Sequence, residues 1–588
     1  MLLAWCHFGA QHADPARWQA ALDASLKSVA AQHLLEDHGP GWRVAWIGAG
    51  AHPRGGLKRD ARGTCLALDG SLSHPSGTPW DSTAPAQSTG PAQLMGCAGD
   101  WAGLWVDPAA AQLSLFRDPL GQRRLVYLRH DQELWVASRE SVLLAAFPAL
   151  AGAWDEEYLA AYFAAAAPPA GSTVYRAIRE VDSGQWIRWQ DGRLAVHTHP
   201  LQPEPWQTCA DATAVELLRA RLDEAIAACD GPALGISLSA GLDSQALASL
   251  HPEPARVRAY TYGFDHHPDI DERAAVRAEA ARRGYAHVGL AVDALDPLSA
   301  AGERPLNLDT PLANPYREFK SLLYRQAAAD GVSTLWNGHF GDHLQPAHGE
   351  WLRAAWREGR RDLIAQQWQG CWRRDGWRGC WREPGWRAQL KSWLGLQPAP
   401  RALPGLRAEW LHAIEARRRE TLDRYREWPN PALAATALGR YAAFDAGGER
   451  VYAEAHGLDL RYPYRHLPLV RSVLGMPAHL WWRDGQAKWA LRECLRPHLA
   501  PALRLRAKGS DLAPVFVQAW KVRHPSVFER LIEGGRPWWR RYFDEERVRA
   551  ALSQPMPEGP AQLLAWQLAA FGLFCQAHDK LDLRLPAQ

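Results

Sequence analysis

Two short turns carry the residues best suited to chemistry. The first lies within Gly235-Ile236-Ser237-Leu238-Ser239-Ala240-Gly241-Leu242-Asp243-Ser244, where an apolar run gives way to tiny and hydroxyl-bearing residues. Small residues let successive backbone N–H groups face one point, and a helix starting at about Ser244 adds its positive N-terminal end, so the turn is an anion cradle. Asp243 stands where a carboxylate can hold Mg²⁺ against phosphates, because that hard ion takes one or two carboxylates together with phosphate oxygens. The chain has no GxxxxGKS or GxxxxGKT, so a P-loop with its own phosphate-gripping lysine is not indicated. The same Ser and Asp residues also suit a plain helix cap.

The second turn, Asn337-Gly338-His339-Phe340-Gly341-Asp342-His343, follows the apolar run Val332 to Trp336. Asp342 supplies a second carboxylate to share the metal. His339 and His343 have the spacing of an HExxH zinc pair, but that pair needs a continuous helix and a Glu after the first His, where this chain has Phe340 and Gly341.

Positioning these turns requires a particular order of elements. Val215, Leu218, Leu222 and Ile226 recur at helical spacing within Ala212 to Asp230. A buried strand at Ala233 to Leu238 follows, then a helix from Ser244, a strand at Arg256 to Phe264, a helix at Glu272 to Gly284, a strand at Ala286 to Val292 and a helix at Tyr316 to Gly331. Alternating strands and helices indicate a parallel sheet covered on both faces, with ligands beyond the carboxyl ends of its strands. Residues 1 to about 200 read differently, as short alternating strands such as Leu113 to Phe116, Arg124 to Leu128 and Leu134 to Ala137, opened by a buried strand at Leu2 to Phe8 and closed by a Pro-rich linker at Pro200 to Trp206.

Composition narrows the class. With 47% hydrophobic and 22% charged residues in 588, the chain can bury more than one core, which excludes wholesale disorder. Its formal charge of +3 is too small for broad attraction to nucleic acid. No apolar stretch reaches the roughly 18 residues of a membrane span, and nine scattered cysteines without a CxxC pair indicate neither a disulfide framework nor a zinc module. A cytoplasmic protein is expected. Residues 351 to 412 interleave Trp with Arg, as a helical insertion whose Trp residues pack, as a docking surface, or as a base-stacking platform.

Taken together, these segments resemble the asparagine synthetase group of ATP-pyrophosphatase amide ligases. Ser239 to Ser244 is similar to SGGLDS and Gly338 to Asp342 to the GxGSD turn. Gly99 to Asp107 and Arg117 to Gly121 resemble the GDFAF and RDPLG signatures of the amidotransferase half, continued by Ala137 to Glu140 and Thr173 to Trp189. Arg461 to Tyr464 resembles RxPF, Lys488 to Glu493 KxxLRE, and Arg506 to Lys508 RxK. The resemblance implies an α+β and α/β chain: an N-terminal Ntn-hydrolase-like (class II glutamine amidotransferase-like) antiparallel sandwich over 1–205, then an ATP-pyrophosphatase parallel α/β domain over 206–588 with a helical insertion at about 351–412.

The departures are equally specific. Glutamine-dependent members need Cys directly after the initiator Met, where this chain has Leu2; Cys6 reads as a strand residue, and Leu68 to Leu72 replaces the usual NGEIYN segment. Loss of glutaminase activity is the expectation. In this respect the chain resembles the β-lactam synthetases and the lasso-peptide macrolactam synthetases, which adenylate a carboxylate and let an amine of the same substrate attack it. Such intramolecular attack is worth up to about 7 to 11 kcal/mol. His339, the Gly341-Asp342-His343 sequence and the Trp/Arg insertion suit the peptide-handling branch.

By the same resemblance, ATP lies with its adenine against the backbone at Ser237 and Tyr262 and near Asn337 and Gly338. Ser239, Gly241 and Ser244 cradle pyrophosphate, while Asp243 and Asp342 bind Mg²⁺. Lys488 serves the phosphates and Lys508 the charge on the acyl-adenylate and tetrahedral intermediate. His339 takes the proton from the attacking amine or, alternatively, only holds its turn; Asp445 or Glu449 could orient it. The expected reaction joins an Asp or Glu side chain of a precursor peptide to its α-amine, releasing AMP and pyrophosphate, with a leader-peptide protease and a leader-recognition protein as partners and neither nucleic acid nor membrane involved. Asparagine synthesis from free ammonia, amide formation on another metabolite, and a non-catalytic peptide-binding scaffold stay open.

Overall fold

The computed structural model of the chain describes residues 1–9, 13–73, 91–206, 209–295, 308–344, 352, 355–356, 358–382, 403–483, 486–506, 512–555, 557 and 559–579. Among them, two six-stranded antiparallel sheets occupy the first 200 positions. Across one run Ile178–Glu180, Val126–His130, Glu133–Ala137, Leu2–Cys6, Trp42–Ala49 and Ala31–Gly39; across the other, Arg193–Thr198, Gln185–Gln190, Gln112–Arg117, Ala98–Asp107, Cys65–Ser73 and Gly55–Arg59.

Strand alternation explains how they stack, since successive side chains point to opposite faces. Leu2, Ala4 and Cys6 pack between the sheets with Leu104, Val106 and Leu115. Leu3 and Trp5 point the other way, into a second core that also holds Trp18 and Leu22 of the Pro15–Ser28 helix and Leu564, Leu568 and Phe571 of the Gly559–Asp579 helix.

The second half is built on a five-stranded parallel sheet ordered Ala286–Ala291, Arg258–Gly263, Leu234–Ser237, Thr334–Asn337 and Asp459–Arg461. Its central strand pairs with Arg258–Gly263 on one side and Thr334–Asn337 on the other. The chain steps outward from Leu234–Ser237 in one direction, then returns to build in the other, which opens a crevice beyond the carboxyl ends of Leu234–Ser237 and Thr334–Asn337. Both chemistry-bearing turns leave from these two strands. Most expected elements agree to within two or three residues; the short edge strand Asp459–Arg461 was not foreseen.

In the Trp/Arg stretch, a helix spans Arg361–Arg382 with non-helical geometry at Gly376. Trp356 and Trp372 are exposed, at 45% and 53%. Trp351, Arg353, Arg357, Trp386 and Trp393 lie outside the described residues. Among the described residues, no helix is long and apolar enough to cross a membrane.

Candidate active site

The two turns touch. A Cβ at Gly341 would lie 2.3 Å from Asp243 Cγ, and one at Gly338 would lie 3.0 Å from the Ser244 nitrogen. Glycine at both positions is demanded by contact, and that contact is what brings Asp243 and Asp342 to one place.

In the first turn, the Ser239 N–H donates to Ser244 Oγ at 3.1 Å, the two hydroxyls meet at 3.0 Å, and the Gly241 N–H donates to Ser239 Oγ at 3.1 Å. Gln245 Nε2 holds the Ser239 carbonyl at 2.7 Å, and Glu272 accepts the Ala240 N–H at 2.9 Å. The Leu242–Leu250 helix that follows has Gly241 at its N-cap and makes no side-chain capping bond. Neither Asp243 nor Ser244 is the N-cap, and the Ser239, Ala240 and Gly241 N–H groups expected to face an anion are instead engaged by Ser244, Glu272 and Ser239.

Lys488 Nζ lies 2.5 Å from Asp243 Oδ2 and 2.6 Å from Asp342 Oδ1. The lysine is buried and adopts a left-handed backbone, φ 59°, immediately before the Trp489–Cys494 helix. Burial would depress its ammonium, but the two carboxylates outweigh that and hold it above its ordinary range. Burial and the neighbouring Asp342 charge push Asp243 up despite Lys488. The buried Asp243 Oδ1 has no hydrogen-bond partner. That orphaned oxygen fits a divalent cation. Among the described residues no group of three or more His, Cys, Asp or Glu side chains is placed to hold a metal by itself.

His339 Nε2 donates to Asp445 Oδ2 at 2.5 Å, and the His339 backbone N–H donates to Asn337 Oδ1 at 2.9 Å. Burial would raise the Asp445 carboxyl, but His339 outweighs it and lowers it below the usual range. Of the two acidic residues considered as partners, Asp445 is the one that meets the imidazole; Glu449 accepts from Lys320 at 2.5 Å and from the Tyr324 hydroxyl. The helix of the second turn starts only at Gly341, so His339 and His343 do not share a continuous helix as a zinc pair would.

At the sheet edge, Ser237 pairs in register with Tyr260 and with Asn337. Tyr262, next to last in the neighbouring strand, packs on Phe319 at 5.8 Å and has its phenol pushed up by burial and by Glu449. The structure therefore brings together Ser237, Ser239, Gly241, Asp243, Ser244, Asn337, Gly338, His339, Asp342 and Lys488. Lys508 lies outside the described residues, while Arg506 is anchored to Glu272 at 2.8 Å, beside the first turn. Sequence reading missed Glu272 altogether; its only signal was its place at the start of a foreseen helix.

Residues 217–577, more than half of the chain, match the profile described as asparagine synthase. The chain belongs to the asparagine synthase family. ATP-dependent amide ligation is the chemistry of that family, and residues 84–200 match the glutamine amidotransferase domain, which fits the antiparallel sandwich preceding the asparagine synthase half. No curated protein matches the chain in sequence. Two solved structures are similar in part. Glutamine phosphoribosylpyrophosphate amidotransferase from B. subtilis, complexed with ADP and GMP, shares 11% identity over 60% of this chain and 76% of its own, with a TM-score of 0.23. A structure titled as the allosteric regulatory enzyme of purine biosynthesis shares 12% identity over 57% of this chain and 89% of its own, also at 0.23. At that score neither bears on the assignment, which stands on the sheet order and the two family matches.

Proposed function

We propose that this asparagine synthase family member is a lasso-peptide macrolactam synthetase. It activates an Asp or Glu side chain of a precursor peptide as an acyl-adenylate and joins it to the peptide's own α-amine, with release of AMP and pyrophosphate. The observation that carries the reading is the His339–Asp445 pair beside the Asp243–Asp342 carboxylates, a base placed next to the site of activation. Histidine suits proton transfer near neutral pH, and a partner carboxylate on Nε2 fixes which ring nitrogen carries the proton.

The first turn and the helix behind it receive the triphosphate, and the substrate carboxylate displaces pyrophosphate from the α-phosphorus. Lys488 offers positive charge to the phosphates. When bound between Asp243 and Asp342, Mg²⁺ would neutralise phosphate charge. His339 then takes a proton from the incoming amine as it attacks the acyl carbon and AMP departs. Lys508 is assigned the charge of the acyl intermediate.

No glutaminase activity is expected of the first half. Burial pushes the thiols of Cys6, Cys65 and Cys97 up, whereas a nucleophilic cysteine needs the reverse. The exposed Trp356 and Trp372 support a peptide-docking role for the insertion. A leader-peptide protease and a leader-recognition protein are the partners such a reaction needs, in the cytoplasm.

The test supplies ATP and Mg²⁺ with peptides bearing a free α-amine and an acidic side chain, and in parallel with aspartate plus ammonia. AMP, pyrophosphate and a peptide lighter by one water support the proposal. ADP as product overturns adenylation, AMP only with aspartate and ammonia transfers the reading to asparagine synthesis, and glutamate release from glutamine overturns the loss of glutaminase activity.

A further inference from the structure

The Arg440–Glu454 helix, which carries Asp445, is shared between three surroundings. Asp445 faces His339, and Glu449, four residues on, meets Lys320 of the Arg317–Ala329 helix. Ala442, Ala446 and Ala453 are buried in the core of the synthase half. On the opposite side, at alternating spacings of three and four, stand Arg440, Ala443, Gly447, Arg450 and Glu454, the spacing of a single helical stripe.

Every residue of that stripe meets the amidotransferase-like half. Arg440 lies 3.1 Å from Glu180 and 2.6 Å from Asp182. Ala443 sits where a Cβ on Gly121 would come within 3.1 Å of it, and a Cβ on Gly447 would lie 2.7 Å from Arg124 Cγ. Arg450 reaches Asp100 at 3.0 Å. Glu454 meets Arg139 at 3.2 Å, and its carbonyl accepts the Ala30 N–H at 3.1 Å. Arg124 cannot simply swing away from an added methyl, because its guanidinium is buried against Glu140 and Glu180.

We propose that the amidotransferase-like half serves as a bracket that fixes the rotation of this helix, making Arg440, Gly447 and Arg450 positioning residues for the Asp445 carboxylate on His339. The inference rests on the reading of His339–Asp445 as the base pair of the site. It gives the first half a task independent of glutamine chemistry: a helix turned by a fraction of a residue carries Asp445 off the imidazole while leaving Asp243, Asp342 and Lys488, which belong to other elements, in place.

Two adjacent glycines allow a matched test. Gly447→Ala forces the contact with Arg124, whereas Gly448→Ala meets nothing within 4 Å; alanine favours helix equally at both positions. The readout is the ring tautomer of His339 in full-length protein labelled with ¹⁵N-histidine, observed at alkaline pH and assigned with His339→Phe. A carboxylate on Nε2 holds one tautomer. The expected result is a single Nε2–H form in the wild type and in Gly448→Ala, and a second tautomer in Asp445→Asn, Gly447→Ala and Arg440→Gln, the last reporting on the bracket even if Gly447→Ala does not fold. An unchanged tautomer in both Gly447→Ala and Arg440→Gln, with Asp445→Asn altered, overturns the bracket and leaves the base pair standing. An unchanged tautomer in Asp445→Asn overturns the base pair itself.

Discussion

His339 and Asp445 stand 106 positions apart, yet the imidazole and the carboxylate share a 2.5 Å hydrogen bond at the mouth of the crevice. One comes from the turn after a central strand, the other from a helix clamped by the amidotransferase-like half. On the proposed reading, this base acts on the amine after the nucleotide chemistry is complete. His339→Phe and Asp445→Asn should slow amide formation by about 10² to 10⁴-fold while ATP–pyrophosphate exchange stays measurable. Comparing the two rates on the same preparation checks this; equal loss of both would assign His339 to holding the turn.

Gly341→Ala should be as damaging as a change to a metal ligand. Its methyl would need to occupy space 2.3 Å from Asp243 Cγ, so Asp243 must move by an ångström or more, and misplacement of that size costs about a hundredfold. Pyrophosphate release checks it, with circular dichroism reporting that the fold persists.

Asp243→Asn and Asp342→Asn should each lower AMP formation by at least about a hundredfold, the scale on which lost charge stabilisation appears. Chelation of divalent ions by EDTA should do the same to the wild type, and added Mg²⁺ should restore it. Full turnover by either variant would remove that carboxylate from the site.

A separate prediction concerns the junction of the two halves. Burial would raise Asp100, but Arg54, Arg123 and Arg450 outweigh it and draw it down to about 2; Asp459, on the synthase sheet, is held well below its usual range by Arg54, Arg461 and Arg123 against the same burial. Because the folded state binds these protons less readily than the unfolded chain, the stabilisation is complete above about pH 4, and the share due to Asp100 is lost as the pH falls through about 2. For Asp100 it is on the order of 2 kcal/mol at neutral pH. Thermal melts should show the wild-type midpoint dropping through that window. Asp100→Asn should melt lower at pH 7 and respond less to acid.

Most of the parallel sheet could be read from sequence because its strands are apolar runs separated by amphipathic helices. The Asp459–Arg461 strand was missed because three residues are too few for any period to register, and Asp459 is instead engaged in ion pairs. The small-residue turn and both aspartates stood out because each motif is contiguous in sequence, and the structure brings the two aspartates together at Lys488. Asp445 was named only as one of two options: no spacing rule links a turn to a helix that far away, and the contact depends on how the first half seats that helix. Lys488 was assigned to phosphates; its position between two carboxylates follows from a left-handed backbone that a lysine adopts only under tertiary constraint.

The most direct test of the nucleotide site is a crystal structure with Mg²⁺ and a non-hydrolysable ATP analogue. The expected result is the triphosphate on the Ser239–Ser244 turn, Mg²⁺ at Asp243 Oδ1 and Asp342, and Lys488 turned toward the phosphates. A nucleotide seated elsewhere, with Lys488 still bridging the two aspartates, would contradict it.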